Sequence, residues 1–309
     1  MWGMDLDGKM LLRALRELLG ESSTSEWMDN FTSYTYLNQA AKEFVQRTEC
    51  LRSEQSITTV ADQAEYDLNA DFLQVYLRDS NNQPFLKFYD GTNYSWVYYR
   101  DYQDIYLANN TTGVTHPSTF TISDNATLPT QLTGTASSAG ALSAGQATLT
   151  CTTGGFVAGK VSPGDVVHNT TDASDGIVLS VTSATALVTA LFGGAENDWD
   201  SSDAYVVQPQ ARWKIILDPK PSTSSYVLTV PYVQAPNPVY SDYGRWRIPD
   251  GALSYIVNYA GWLYKYRDRE PQFGDQLYKM FDMGVRKWGA RTKESLRPVE
   301  RLKVNLRVR

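Results

Sequence analysis

The chain has 309 residues, 42% apolar and 20% charged, enough for one large or two medium globular domains, and its composition excludes a collagen-like or wholly disordered chain. Two cysteines, Cys50 and Cys151, are too few for a disulfide framework and, with only His116 and His168 beside them, argue against a zinc knuckle. The net charge of −6 is unevenly placed: residues 131–208 hold seven carboxylates against the single Lys160, which by itself equals the charge of the whole chain. Residues 291–309 hold seven bases against Glu294 and Glu300, a net +5. Such blocks point to pieces with different partners.

No stretch approaches the ~20 apolar residues that cross a bilayer. The apolar run at 11–19 is interrupted by Arg13, Arg16 and Glu17, so no secretory leader is expected. The expectation is a soluble protein made in a reducing cytosol, with both cysteines as small apolar fillers and no membrane partner. The 20 Tyr and 8 Trp combine large apolar bodies with polar handles, which suits surfaces buried against other subunits as well as half-buried sheet faces.

In chain order, the first element is a helix. Leu11, Ala14, Leu15 and Leu18 recur at helical spacing, and Gly20 follows as a stop. A second helix is expected to start at Ser23-Thr24-Ser25-Glu26, a capping box, with Trp27, Phe31, Tyr34, Leu37, Ala41 and Val45 on one face. From about Ser56 the pattern turns to strands, at 72–77, 96–99, 105–107 and 120–122, separated by turns such as Asp90-Gly91 and Asn109-Asn110. Strands resume at 213–217 and 226–233.

Between them, residues 130–208 form a block rich in Ala, Thr, Ser and Gly, with strands at 166–167, 177–181 and 187–191. It reads as an inserted all-β module of small-barrel or sandwich size, placed at a loop tip of the parent sheet. After Pro236-Asn237-Pro238 the chain is helical again. Pro249-Asp250 opens a helix carrying Leu253, Ile256, Val257, Ala260 and Leu263, and Pro271 opens another carrying Phe273, Leu277, Phe281 and Trp288. The fold class is therefore α+β: a four-helix bundle drawn from both chain ends, an antiparallel β platform, and the inserted module. The domains are 1–129 with 209–290 as the core, 130–208 as the insertion, and 291–309 as a basic C-terminal arm.

Chemistry-bearing motifs fail on inspection. Residues 154–161 read Gly-Gly-Phe-Val-Ala-Gly-Lys-Val, near a phosphate loop, but Val161 stands where a magnesium-holding Ser or Thr is needed and Ser162-Pro163-Gly164 turns the chain at once. Asp172 and Asp175 lack the alternating ligands of a calcium loop, because Thr171 and Ala173 occupy two of the places. The run Glu196, Asp198, Asp200, Asp203 reads as a solvated acidic loop. Neither histidine has a nearby His or Cys partner, no Gly-x-Ser-x-Gly elbow exists, and Glu43 reads as a surface residue of an amphipathic helix. No catalytic residue, metal ligand or cofactor is assigned.

Leu37-Asn38-Gln39-Ala40, the 58–68 segment ending Tyr66-Asp67-Leu68, and Asp71-Phe72-Leu73-Gln74-Val75 resemble the opening half of head-to-tail adaptor (connector) subunits of short-tailed phages. Residues 226–232, Pro236, and Ile248-Pro249-Asp250 before a helix resemble the closing half, so the resemblance spans about 10–125 and 210–290. Where that family commonly has Pro after Tyr-x-Leu, this chain has Asn69. The inserted module resembles small β modules of phage structural proteins.

The resemblance implies a non-enzymatic virion protein of the tail neck, synthesised in the host cytoplasm. It would form a homo-dodecameric ring beneath the portal protein, contact a tail nozzle or tail tube component, and pass genome DNA through its channel without specific binding. The near-neutral charge outside the insertion agrees with a lumen that must not hold DNA tightly. Candidate subunit-interface aromatics are Tyr98, Tyr99, Tyr102 and Trp246. The candidate portal-binding residues are Arg301, Leu302, Lys303, Val304, Leu306, Arg307 and Val308, whose period-two alternation is a strand pattern seeking a sheet edge. Two other readings stand beside this one: a tail-associated cell-wall hydrolase, and a tail component that binds receptor or glycan through the module.

Overall fold

The structure, a computed structural model, describes residues 7–21, 29–108, 116–267 and 271–294. The first helix, α1 (Gly8–Leu19), is capped by the Asp7 carboxylate, which accepts from the Met10 N–H at 2.9 Å, and stops at Gly20 in the left-handed region, φ 71°. Helix α2 (Asn30–Thr48) begins at the Asp29 cap, whose carboxylate accepts from the Thr32 N–H at 2.6 Å. The cap of the described helix thus lies six residues later than in the capping-box reading, and Ser23 to Glu26 and Trp27 lie outside the described residues.

Eight strands follow the helices into one curled sheet: β1 (Arg52–Thr58), β2 (Glu65–Asp67), β3 (Phe72–Val75), β4 (Phe85–Tyr89), β5 (Tyr94–Tyr99), β6 (Thr119–Thr127), and, after the insertion, β13 (Arg212–Asp218) and β14 (Val227–Gln234). The strand expected at 105–107 is instead part of α3 (Tyr102–Ala108). The Asp101 carbonyl accepts from the N–H groups of Asp104 and Ile105, which closes a helical turn that three apolar letters could not distinguish from a strand. The turn expected at Asn109-Asn110 lies outside the described residues.

The sheet order is β1-β14-β4-β5-β6-β13-β2, with β3 also on β14. Every pairing is antiparallel except β5 with β6, where Tyr98 lies opposite Thr119. The two edges of the curl meet through Gln55. Its Nε2 donates to the Asp67 carbonyl at 3.1 Å and its Oε1 accepts from the Asn69 N–H at 2.9 Å. Leu86, Phe88, Val97, Phe120, Ile215, Leu228 and Val230 are fully buried inside.

The insertion leaves the platform at the end of β6 and returns at β13, and these two strands pair, with Ile122 opposite Ile215. Within it, β7 (Leu132–Thr135), β8 (Ala147–Thr150), β9 (Val166–Asn169), β10 (Ser174–Ser183), β11 (Ala186–Phe192) and β12 (Ala204–Gln208) make a six-stranded sheet ordered β7-β12-β9-β10-β11-β8. Trp199, wholly buried, donates its indole N–H to Thr189 Oγ1 at 2.9 Å. Strands β10 and β11 are apolar on both faces. Val178, Leu187 and Leu191 fill the module, while Ile177, Leu179, Ala190 and Phe192 pack against the helical bundle.

After β14, a short 3-10 turn (Asp250–Ala252) leads into α4 (Leu253–Arg267) and α5 (Pro271–Glu294). Helices α1, α2, α4 and α5 form the bundle around Leu11, Leu15, Leu37, Phe44, Ile256, Ala260 and Phe281, all at 0% exposure. Gly8 lies where α1 meets the 241–244 turn. Its N–H donates to the Gly244 carbonyl at 2.8 Å, and a Cβ there would collide with the Ser241 carbonyl.

Candidate functional site

Among the described residues, a cluster of exposed aromatic side chains lies on the β4–β5 hairpin. The register pairs Phe85 with Tyr98, Lys87 with Trp96, and Tyr89 with Tyr94. Alternation sends Leu86, Phe88 and Val97 into the core, so all six paired side chains face outward. Tyr94, Trp96 and Tyr98 are 61%, 51% and 37% exposed. Their rings touch across the strands: Phe85 and Trp96 meet edge-on at 5.2 Å, Tyr89 and Tyr94 at 4.7 Å, and the Lys87 ammonium sits 3.9 Å over Tyr94. A preassembled aromatic ladder of this kind loses little side-chain entropy on docking.

Of the four sequence-predicted interface aromatics, Tyr98 belongs to this ladder and Tyr102 is exposed on α3. Tyr99 points to the other side of β5, against Phe120 at 5.7 Å. Trp246 is only 8% exposed and packs in the bundle core, its indole N–H donating to Asn38 Oδ1 at 3.3 Å. Its ring is spent within the chain. Phe85, Lys87, Tyr89, Tyr94 and Trp96 were missed, although the letters Tyr-Ser-Trp-Val-Tyr alternate at 94–98. Arg301, Leu302, Lys303, Val304, Leu306, Arg307 and Val308 lie outside the described residues.

A cleft of about 800 Å³ opens where bundle, platform and module meet. Its charged lining is Lys42, Asp71 and Arg212. Asp71 is already engaged, accepting from Tyr232 OH at 2.9 Å and Gln234 Nε2 at 2.6 Å. One engaged carboxylate without a second acid or a histidine does not make an acid–base pair.

The other motifs are tied into the fabric of the fold. Lys160 pairs with Asp67, and Phe156 of the same Gly-rich turn is fully buried. His168 Nδ1 sits 2.7 Å from Asp175, and His116 Nε2 lies 3.4 Å from Asp90. Backbone N–H groups of Asn93 and Thr92 hold the Asp90 carboxyl below its ordinary range. Glu43 pairs with Arg47 one helical turn on, at 2.6 Å.

In the acidic loop, the Asn169 amide donates to Asp172 and Asp203, both at 2.9 Å. Desolvation, then the charges of Asp203, Asp200 and Asp198, push the Asp172 carboxyl up. Among the described residues, no group of three or more His, Cys, Asp or Glu side chains could hold a metal ion. Nor is any described helix long and apolar enough to cross a membrane.

The described residues thus form a bundle drawn from both chain ends, a curled β platform bearing an exposed aromatic ladder, and an inserted β module. Residues 9–140 match the sequence model of a family described as SU10 adaptor protein, a phage head-to-tail adaptor family that is structural and non-catalytic. The match supports a structural connector role. No curated protein matches the chain.

Proposed function

We propose that the chain is a ring-forming adaptor of a phage neck, joining the portal protein above to a nozzle or tube component below. The observation that carries this reading is how the matched and unmatched parts interlock. The match runs from Lys9 in α1 through α2, β1 to β6 with α3, and just into the module, where it takes in β7. Yet β14 lies between β1 and β4, and β13 between β6 and β2. The matched strands of the platform therefore form their sheet only with the two late strands, just as α1 and α2 complete their core with α4 and α5. The adaptor fold runs through both ends of the chain, and the module interrupts it.

In this reading, copies associate head to tail around a closed ring, a heterologous contact that closes by rotation. The aromatic ladder, with Tyr98 and Tyr102, supplies one half of a docking surface; the arm at 301–309 reaches the portal; DNA passes through the channel without specific contacts. The proposed ring holds twelve copies, each making the same contact with the next. Cryo-electron microscopy of the particle tests this. The expected result is a closed ring of this chain between portal and tail; a single copy per particle, or a position away from the neck, would overturn it.

A further inference from the structure

Strand β3 is held along one edge only. Val75 lies opposite Tyr232 and Gln74 opposite Val233 on β14, and no second strand joins it among the described residues. Its other side opens on a slot of about 310 Å³ lined by all four β3 residues and walled by Tyr99, Phe120, Ile122 and Trp213. The register steps from Phe72 opposite Gln234 to Gln74 opposite Val233, so Leu73 is an extra, bulged residue, and all four residues of the strand line the slot. An edge strand leaves alternate N–H and C=O groups without a strand partner, and folds usually blunt such edges with charge, proline, a bulge or a cover; here the irregularity at Leu73 is the one such device within the strand. Phe72-Leu73-Gln74-Val75 has neither charge nor proline.

One cation stands at the rim. Arg78 is exposed and lines the slot, and among the described residues its guanidinium makes one hydrogen bond, a long one of 3.4 Å to the Asn82 carbonyl. No described carboxylate pairs with it.

We propose that this slot docks an extended segment of a partner protein, added as a strand to β3, with an aliphatic side chain in the slot and a carboxylate on Arg78. Strand addition supplies main-chain hydrogen bonds, and the pocket selects the side chain. Charge decides the occupant. The chain's own arm at 301–309 alternates aliphatics with Arg and Lys and contains no acidic side chain, so it would bring like charge to Arg78. An acidic, β-branched segment of a different protein fits. The proposal deepens the adaptor reading, on which it rests for the presence of a partner.

The test uses the full chain and two labelled pentapeptides of alternating valine and threonine, one with a central aspartate and one with lysine there, read by fluorescence anisotropy. The aspartate peptide is expected to bind at least about tenfold tighter, a difference of about 1.4 kcal/mol. Arg78→Glu should reverse the preference, and Trp213→Ala should weaken the aspartate peptide. Failure of both peptides to bind, equal binding, or an unchanged preference in Arg78→Glu overturns the proposal. So does self-association that Arg78→Glu abolishes while the peptides stay unbound, since a second copy then fills the slot. None of these outcomes moves the chain from the neck of the particle, so the adaptor reading stands or falls separately.

Discussion

The side-chain amide of Asn38 pairs with the backbone of Val239 in both directions, donating to its carbonyl at 2.9 Å and accepting from its N–H at 2.8 Å. A side chain here does what a neighbouring strand would do, and it fastens α2 to the segment that returns after β14. Asn38→Ala leaves both groups of a 2%-exposed Val239 without that partner. With the Trp246 indole N–H that also donates to Asn38, three groups are left unmet, and the expected loss is about 3–6 kcal/mol at ~1–2 each. Asn38→Asp keeps the acceptor but sets an oxygen against the Val239 carbonyl, so it should not rescue. A lower urea midpoint at constant slope checks both.

The junction between module and bundle makes a second prediction. Phe192 of β11 packs on Phe31 of α2 at 5.1 Å and on Tyr240 at 6.0 Å, and the Asp242 N–H donates to the Ala144 carbonyl at 3.1 Å. We propose that residues 130–208 nevertheless fold as a unit. Replacing 131–208 by a short Gly-Ser linker should leave β6 paired with β13 and the chain folded, because those strands already meet at the insertion point. The shortened chain exposes Phe31 and Tyr240, so its melting temperature should fall and Phe31→Ser should partly restore its solubility. Global unfolding on excision would show that the module belongs to the core.

Much of this architecture is legible in the letters, for physical reasons that differ by element. Helices α1, α4 and α5 show because each buries one stripe, such as Leu11 and Leu15, or Leu277 and Phe281. The insertion shows because charge and composition change together at its ends. What stays hidden depends on contacts distant in sequence. Trp246 looks like an interface aromatic until Asn38 is seen to hold its indole. The stretch 177–181 reads as a strand of the module, and only the structure shows Ile177 and Leu179 packing on the bundle. The aromatic ladder needs the β4–β5 register, since Phe85 and Tyr98 become neighbours only across the hairpin.

Asp165 makes the fold's stability depend on pH in a definite direction. It is 1% exposed, and burial pushes its carboxyl above the ordinary range despite the N–H groups of Ser162 and Gln210 and the charge of Arg212. The folded chain therefore holds a proton that the unfolded chain releases near the usual ~4. This contribution is fully present below that value and is lost as pH rises through the raised one. Asp165→Asn removes this dependence while leaving other groups in place. The stability advantage of the wild type over Asp165→Asn should shrink as pH rises from about 4 towards 7. An advantage that grows over the same range, in parallel urea titrations, would contradict the assignment.

If the aromatic ladder is a subunit interface, its exposed rings can be removed without harming the monomer. Tyr94→Ser with Trp96→Ser takes away side chains that are 61% and 51% exposed, so the unfolding midpoint should change little, within about 1 kcal/mol. Ring assembly, measured as mass in the presence of portal, should be lost, since exposed aromatics of this kind act as binding hot spots. A variant that assembles normally would place the interface elsewhere.

The arm at 301–309 lies outside the described residues, and its reading rests on sequence. Leu302, Val304, Leu306 and Val308 alternate with Arg301, Lys303, Asn305, Arg307 and Arg309, a period of two sustained over nine residues. We propose that it adds as a strand to a sheet edge of the portal. Main-chain pairing would supply affinity, the aliphatic face would pack, and the basic face would meet acidic side chains. Contact of the same bases with DNA in the channel predicts a different signature, a steep loss of binding with salt as counterions are released. Strand addition predicts a shallower slope, because the backbone bonds and the aliphatic face are insensitive to salt. Truncation after Pro298, or Val304→Asp with Leu306→Asp, should abolish docking to the portal while circular dichroism and the unfolding midpoint stay as in the wild type. A truncated chain that joins the portal with unchanged affinity would rule the arm out as the docking element.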